Sequence, residues 1–276
     1  MKTTYTLFKA FGIPITVDLS LLILMFLFIS SFGDPIFGLT AGFLLLVSIL
    51  LHELGHSLVG MAFGGKVREI RLMLLGGCAS FTVMPKKAWQ EILMAFAGPL
   101  VSLMLAGISF AVLMFSLFSP AAQRFTGEMF LYMMWLNVGL FCFNMLPAFP
   151  MDGGRILRAV LQQFFTTRLK ATWIASRIGR FVAILFGLSV LYSALSGGFK
   201  DFMFIRLMIA VMIYQTAERE YLMVLAEERG TRHNPFSGFP FFNRASRRPP
   251  PDDGQAVISP PPYERGSTRV DVHKEN

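Results

Sequence analysis

Apolar residues in this chain gather into six blocks, at 17–32, 37–61, 92–118, 129–145, 178–195 and 202–214. A helix needs roughly 20 apolar residues to cross a bilayer core about 30 Å thick, so blocks of this length suit membrane spans. The polar connections between them alternate in charge. Lys2 and Lys9 precede the first block, and Lys66, Arg68, Arg71, Lys86 and Lys87 fill the second connection. Arg155, Arg158, Arg168, Lys170 and Arg177 fill the fourth, whereas the intervening connections carry Asp34, Arg124, or Lys200 with Asp201. Excess Lys and Arg mark cytoplasmic connections, which places both termini in the cytoplasm, with Arg206 as the one awkward residue. The pattern predicts an all-α polytopic membrane protein of about six transmembrane helices.

Two basic connections carry apolar patterns of their own. Residues 67–84 are apolar, contain Gly76 and Gly77, and are too short to cross twice as helices. A hairpin dipping into the protein and a hairpin on the surface both fit, the first only where protein covers its backbone. Residues 152–170 place apolar side chains at helical spacing among Arg and Lys, as expected of a helix lying at the inner interface. From Arg229 the composition turns polar and proline-rich (Pro249–Pro251, Pro260–Pro262), predicting a disordered cytoplasmic tail over 229–276 after a membrane core over 1–228.

Composition agrees with the pattern. Hydrophobic residues make up 54% and charged residues 15%, at a mean hydropathy of +0.57, which excludes an ordinary soluble domain. The net charge of +8 follows the membrane topology and implies no nucleic-acid partner. Cys78 and Cys142 lie in or beside apolar segments and suggest no disulfide framework. The amino-terminal residues show no cleavable signal pattern.

The candidate chemistry lies in the second block, where residues 52–56 read His-Glu-Leu-Gly-His. On a helix His52 and His56 share a face, the geometry by which two imidazoles grip one metal ion. Glu53 lies beside them, where a carboxylate can take a proton from a water polarised by the metal. Ionisable groups at bilayer depth cost roughly 2.5–3.5 kcal/mol each on insertion scales, so three together point to function.

Catalytic zinc usually takes three protein ligands. The remaining histidines, His233 and His273, lie in the tail, so a carboxylate or cysteine must complete the set. At 1.5 Å per residue, His52 and His56 lie about 22 and 28 Å below the outer end of their span, near the inner leaflet. Asp152 follows the fourth block by seven residues, after the helix-breaking Pro147 and Pro150, and reaches the same depth. Cys142 and Asp18 are its rivals. Asp152 also has an alternative use, as N-cap of the interfacial helix.

At this point the residues resemble the site-2 protease family of intramembrane zinc metalloproteases, peptidase family M50. The family pattern pairs HExxH with an Asn-x-x-Pro-x-x-x-x-Asp-Gly stretch, and Asn144, Pro147, Asp152 and Gly153 stand in those places. GIPITVDLSLLIL at 12–24, LLGG at 74–77 and AGPL at 97–100 add to the likeness, which covers roughly residues 8–225. The resemblance implies a six-span core, a membrane-re-entrant hairpin at 66–84, and one Zn²⁺ held by His52, His56 and Asp152. It further implies Glu53 as general base, with Asn144 near the metal positioning substrate or oxyanion. The implied partners are membrane proteins whose transmembrane helices are cut, and the lipid bilayer itself. No PDZ or CBS module is expected. A metal transporter and a non-catalytic relative are the competing readings; the first would spread polar ligands along a path, and the second would lose Glu53 or a ligand.

Overall fold

The computed structural model describes residues 4–74, 76–85, 87–116, 125–195 and 203–228. The proline-rich tail expected at 229–276 lies outside them.

The first structure in the chain is β, not α. Thr4–Ala10 (β1) and Ile13–Asp18 (β2) pair antiparallel across a two-residue turn at Phe11 and Gly12, whose φ angles of 51° and 81° match the twist that tight hairpins require. β2 then runs parallel to Lys66–Met73 (β3), with Ile15 opposite Ile70, and β3 turns back antiparallel into Gly76–Val83 (β4). The sheet order is β1-β2-β3-β4, which leaves β4 at one edge. The expectation of an all-α fold with a lone hairpin is therefore corrected to a helical bundle carrying a four-stranded sheet. The physical reason lies in residues 13–18, where Ile, Thr and Val alternate with a pleat and bury Ile13 and Ile15. The 17–32 block accordingly loses its first residues to β2. Leu21–Ser31 (α1) remains, eleven residues or about 16 Å, too short to span a bilayer alone.

Pro35–Ala62 (α2) begins where Asp34 accepts the Ile36 N–H at 2.8 Å with Pro35 in the first turn, and is followed after the C-cap Phe63 by Gly64, which takes the positive φ of a helix terminus. Ala88–Ser116 (α3) and Phe125–Asn144 (α4) follow. The next blocks differ from expectation. Residues 152–170 do not form one interfacial helix: Asp152–Phe164 (α5) closes where the Phe165 and Thr166 N–H groups both bond the Leu161 carbonyl. Arg168–Leu195 (α6) then runs unbroken, taking in Arg168, Lys170 and Arg177, and Met203–Glu228 (α7) packs against it.

Of these helices α2, α3 and α6 are long and apolar enough to cross a membrane. Large apolar side chains on their outer faces, among them Phe43, Ile108 and Leu188, are exposed as a lipid-facing surface requires. The polar business of the molecule is inside. One core joins the sheet to the helices through Ile13, Ile15, Ile70 and Leu72 with Leu21, Ile49 and Leu54. A second gathers Ala148 and Met151, between α4 and α5, against Ala183 and Ile213.

Candidate metal centre

α2 carries His52 and His56 one turn apart, pointing the same way into the bundle. α5 supplies Asp152 as its first residue. The seven residues before it are bent by Pro147 and Pro150 and held by short turns, including Met151 N–H to Ala148 O at 2.9 Å. Gly153 and Gly154 make that bend possible, because a Cβ on either would strike the turn's backbone within 2.4–2.7 Å. Met151, not Asp152, is the N-cap of α5, so the aspartate is free of the capping role.

The three side chains meet at one point. Asp152 Oδ2 lies 3.2 Å from His52 Nε2 and 3.1 Å from His56 Nε2, and the two Nε2 atoms are 3.1 Å apart. All three residues are buried, at 4%, 4% and 6% exposure. Their outer contacts fix the chemistry. His56 Nδ1 is 2.7 Å from the Met94 carbonyl, which can only accept, so Nδ1 carries the proton and Nε2 of the neutral ring presents a lone pair. His52 Nδ1 bonds Ser102 Oγ at 2.9 Å. The other oxygen of Asp152, Oδ1, faces the Arg155 guanidinium at 3.9 Å. Lone pairs and a negative oxygen converging in a buried space call for a cation. Tetrahedral zinc with bonds of roughly 2.0–2.1 Å sets its ligand atoms about 3.3–3.4 Å apart; the three atoms here form a triangle of 3.1–3.2 Å. The donor set and its spacing fit zinc.

Helix α3 supplies the wall behind this triangle. A Cβ on Gly98 would fall 2.1 Å from His56 Nε2 and 2.7 Å from His52 Nε2, against both nitrogens of the triangle. Met94, Gly98 and Ser102 recur every four residues, so a single stripe of α3 holds both imidazoles and leaves room between them. In the sequence Gly98 stands only as part of AGPL, with no role of its own. Its place in AGPL was the available signal.

Glu53, one residue after His52, is partly buried, and its Oε2 accepts the Ala79 N–H of edge strand β4 at 3.1 Å. Gly77 on the same strand packs against the Glu53 side chain. Asn144 closes α4, and its amide donates to Leu140 O at 3.0 Å rather than to any of the three converging residues. The rival ligands stand elsewhere: Cys142 is exposed on α4, and Asp18 accepts the Ser20 N–H at 2.9 Å ahead of α1.

The sequence profile of peptidase family M50 matches residues 40–129 and 118–186, a range that contains His52, Glu53, His56, Gly98 and Asp152. The chain belongs to peptidase family M50. A zinc metalloprotease of Methanocaldococcus jannaschii is 36% identical over 230 residues, 82% of this chain and 63% of the relative. A Synechocystis relative is 35% identical over 184 residues, 62% of this chain and 47% of its own. The chain thus spans about half to three-fifths of the length of the curated relatives it matches. Among solved structures, the site-2 protease from Methanocaldococcus jannaschii superposes with a TM-score of 0.55 at 33% identity, covering 79% of this chain and 95% of that one. M50 membership joins the buried triangle to a family in which the Methanocaldococcus jannaschii relative is named a zinc metalloprotease.

Proposed function

We propose that this M50 chain is an intramembrane zinc metalloprotease that hydrolyses peptide bonds within or near the transmembrane segments of other membrane proteins. The observation that carries the reading is the convergence of His52 Nε2, His56 Nε2 and Asp152 Oδ2, with Glu53 adjacent on the same helix. These three residues would hold one Zn²⁺ per chain, and when bound it supplies Lewis acidity towards water and the scissile carbonyl. Glu53 takes a proton from the attacking water as its oxygen bonds to the carbonyl carbon. It then delivers that proton to the nitrogen as the C–N bond breaks. Asn144 uses one amide hydrogen on Leu140 O, and its second serves the developing oxyanion, a type of contact worth about 3 kcal/mol where measured.

The site lies in the inner leaflet with both termini cytoplasmic, so water has a short path in. A substrate helix must unwind to expose its peptide bond, and the unwound segment adds as a strand along the edge strand β4. The partners are single-span or polytopic proteins of a prokaryotic cell membrane and the bilayer around them; nucleic acid plays no part.

The test uses the full chain in detergent with a single-span substrate. Glu53→Gln should keep zinc and lose cleavage, and Asp152→Ala should lose much of both. Normal cleavage by Glu53→Gln would overturn the mechanism.

A further inference from the structure

Arg158 lies six residues beyond Asp152 on α5, yet it is 5% exposed, an unusual place for a guanidinium. Its Nη2 bonds Glu91 Oε1 at the start of α3, and its Nη1 bonds Glu220 Oε2 of α7 at 3.1 Å. The plane of the guanidinium sits over Phe149, 5.3 Å from the ring centroid, in the turn three residues before Asp152. Phe149 is itself buried against Ala175 of α6 and Ala217 of α7.

These contacts are arranged around the metal centre. Glu91 precedes Met94 by three residues, and Gly98 and Ser102 follow at intervals of four, so all four lie on one stripe of α3. From one end of the stripe to the other, α3 grips Arg158, then His56, then leaves the metal space, then grips His52. We propose that Arg158 is a positioning residue for the third metal ligand: by tying α5 to the α3 stripe and clamping the turn through Phe149, it sets the height and rotation at which Asp152 meets the two histidines. A slip of α5 by one residue would move Asp152 by about 1.5 Å along the axis. That exceeds the tolerance of roughly 0.2 Å within which ligand distances are held. An arginine suits the task because its planar fork bonds two carboxylates at once, which a lysine cannot do in the same geometry.

The proposal rests on Asp152 being a metal ligand, and the experiment separates the two. Zinc affinity of the full chain in detergent is measured by competition with a chromophoric chelator, alongside the visible absorption of the cobalt-loaded protein and helical circular dichroism. Two variants are compared, Arg158→Lys and the triple Arg158→Met, Glu91→Gln, Glu220→Gln, which leaves no unpaired buried charge should Arg158 variants fold poorly. Arg180→Met removes a different ion pair, to Glu218 of α7 at 2.6 Å, and serves as control. Both Arg158 variants should bind zinc about 10- to 100-fold more weakly and shift the cobalt bands with helical content retained; Arg180→Met should do neither. Made on an Asp152→Ala background, the same changes should alter affinity by no more than about threefold, because the coupling partner is gone. Parental zinc affinity in both Arg158 variants, with Asp152→Ala weakened, overturns the positioning role alone. An equal loss on the Asp152→Ala background overturns it too, placing the effect on the histidines. Parental affinity in Asp152→Ala itself overturns the three-ligand reading beneath both.

Discussion

The carboxylate of Glu53 accepts a hydrogen bond from the Ala79 amide, so the general base of the proposed reaction is held by the sheet and not by its own helix. Gly77, two residues earlier on β4, has no side chain because Glu53 fills its place: a Cβ there would lie 2.5 Å from Glu53 Cγ and 2.9 Å from Ile49 Cγ2. Gly77→Ala should displace Glu53 while leaving the three ligands alone. The expected outcome is near-parental zinc content with cleavage reduced about 10- to 100-fold, within the range general-base catalysis contributes. Metal analysis beside a cleavage assay checks it. Zinc loss equal to the activity loss would refute the separation.

Gly98→Ala tests the wall of the site. The added methyl would stand in the space between the two imidazole Nε2 atoms, and the neighbours that must yield are the ligands themselves. Zinc binding should fall by at least about 100-fold while helicity persists, since the methyl adds no polar group. Gly107, on the same helix with open space around its Cβ position, should accept alanine without effect on zinc.

Ser102→Ala removes the hydrogen bond that orients His52 but no ligand. Partners of metal-bound histidines typically contribute 10- to 100-fold in affinity, and a loss of that size is expected here. Titration with a chelator of known affinity measures it. An unchanged affinity would mean that α2 packing alone orients the ring.

Asp18→Asn and Cys142→Ser should both retain full zinc content, because Asp18 caps the approach to α1 and Cys142 faces outward. Loss of zinc in either variant, measured on the purified chain, would assign the third ligand afresh.

What could be read from the sequence follows the range of the interactions involved. His52, Glu53 and His56 are local, within five residues of one helix, and the pattern is legible wherever the helix is. Asp152 is legible through expected depth, because the charge of the connections predicts an inner end for the fourth block and the prolines after it keep Asp152 close by. The sheet was not legible in the same way. β2 and β3 pair in parallel with Ile15 against Ile70, and nothing local announces a partner so far along the chain. The last residues of β2, Val17 and Asp18, also read as the start of an apolar block, since strand and helix cannot be told apart by hydrophobicity over so few positions. Arg158 looked like one more basic residue of an interfacial helix. Only the packing of three helices shows it to be buried.

Arg158 meets one carboxylate from α3 and another from α7, 67 residues behind it and 62 ahead of it in the chain. During synthesis the histidines, the aspartate and the glycine wall all exist before Glu220 has been translated. Until α7 arrives and docks, the guanidinium is only half matched, and the helix that carries Asp152 is held on one side. The proposed metal centre would therefore be a late product of assembly: a chain stopped short of α7 should contain His52, His56 and Asp152 and still be slow to keep a metal.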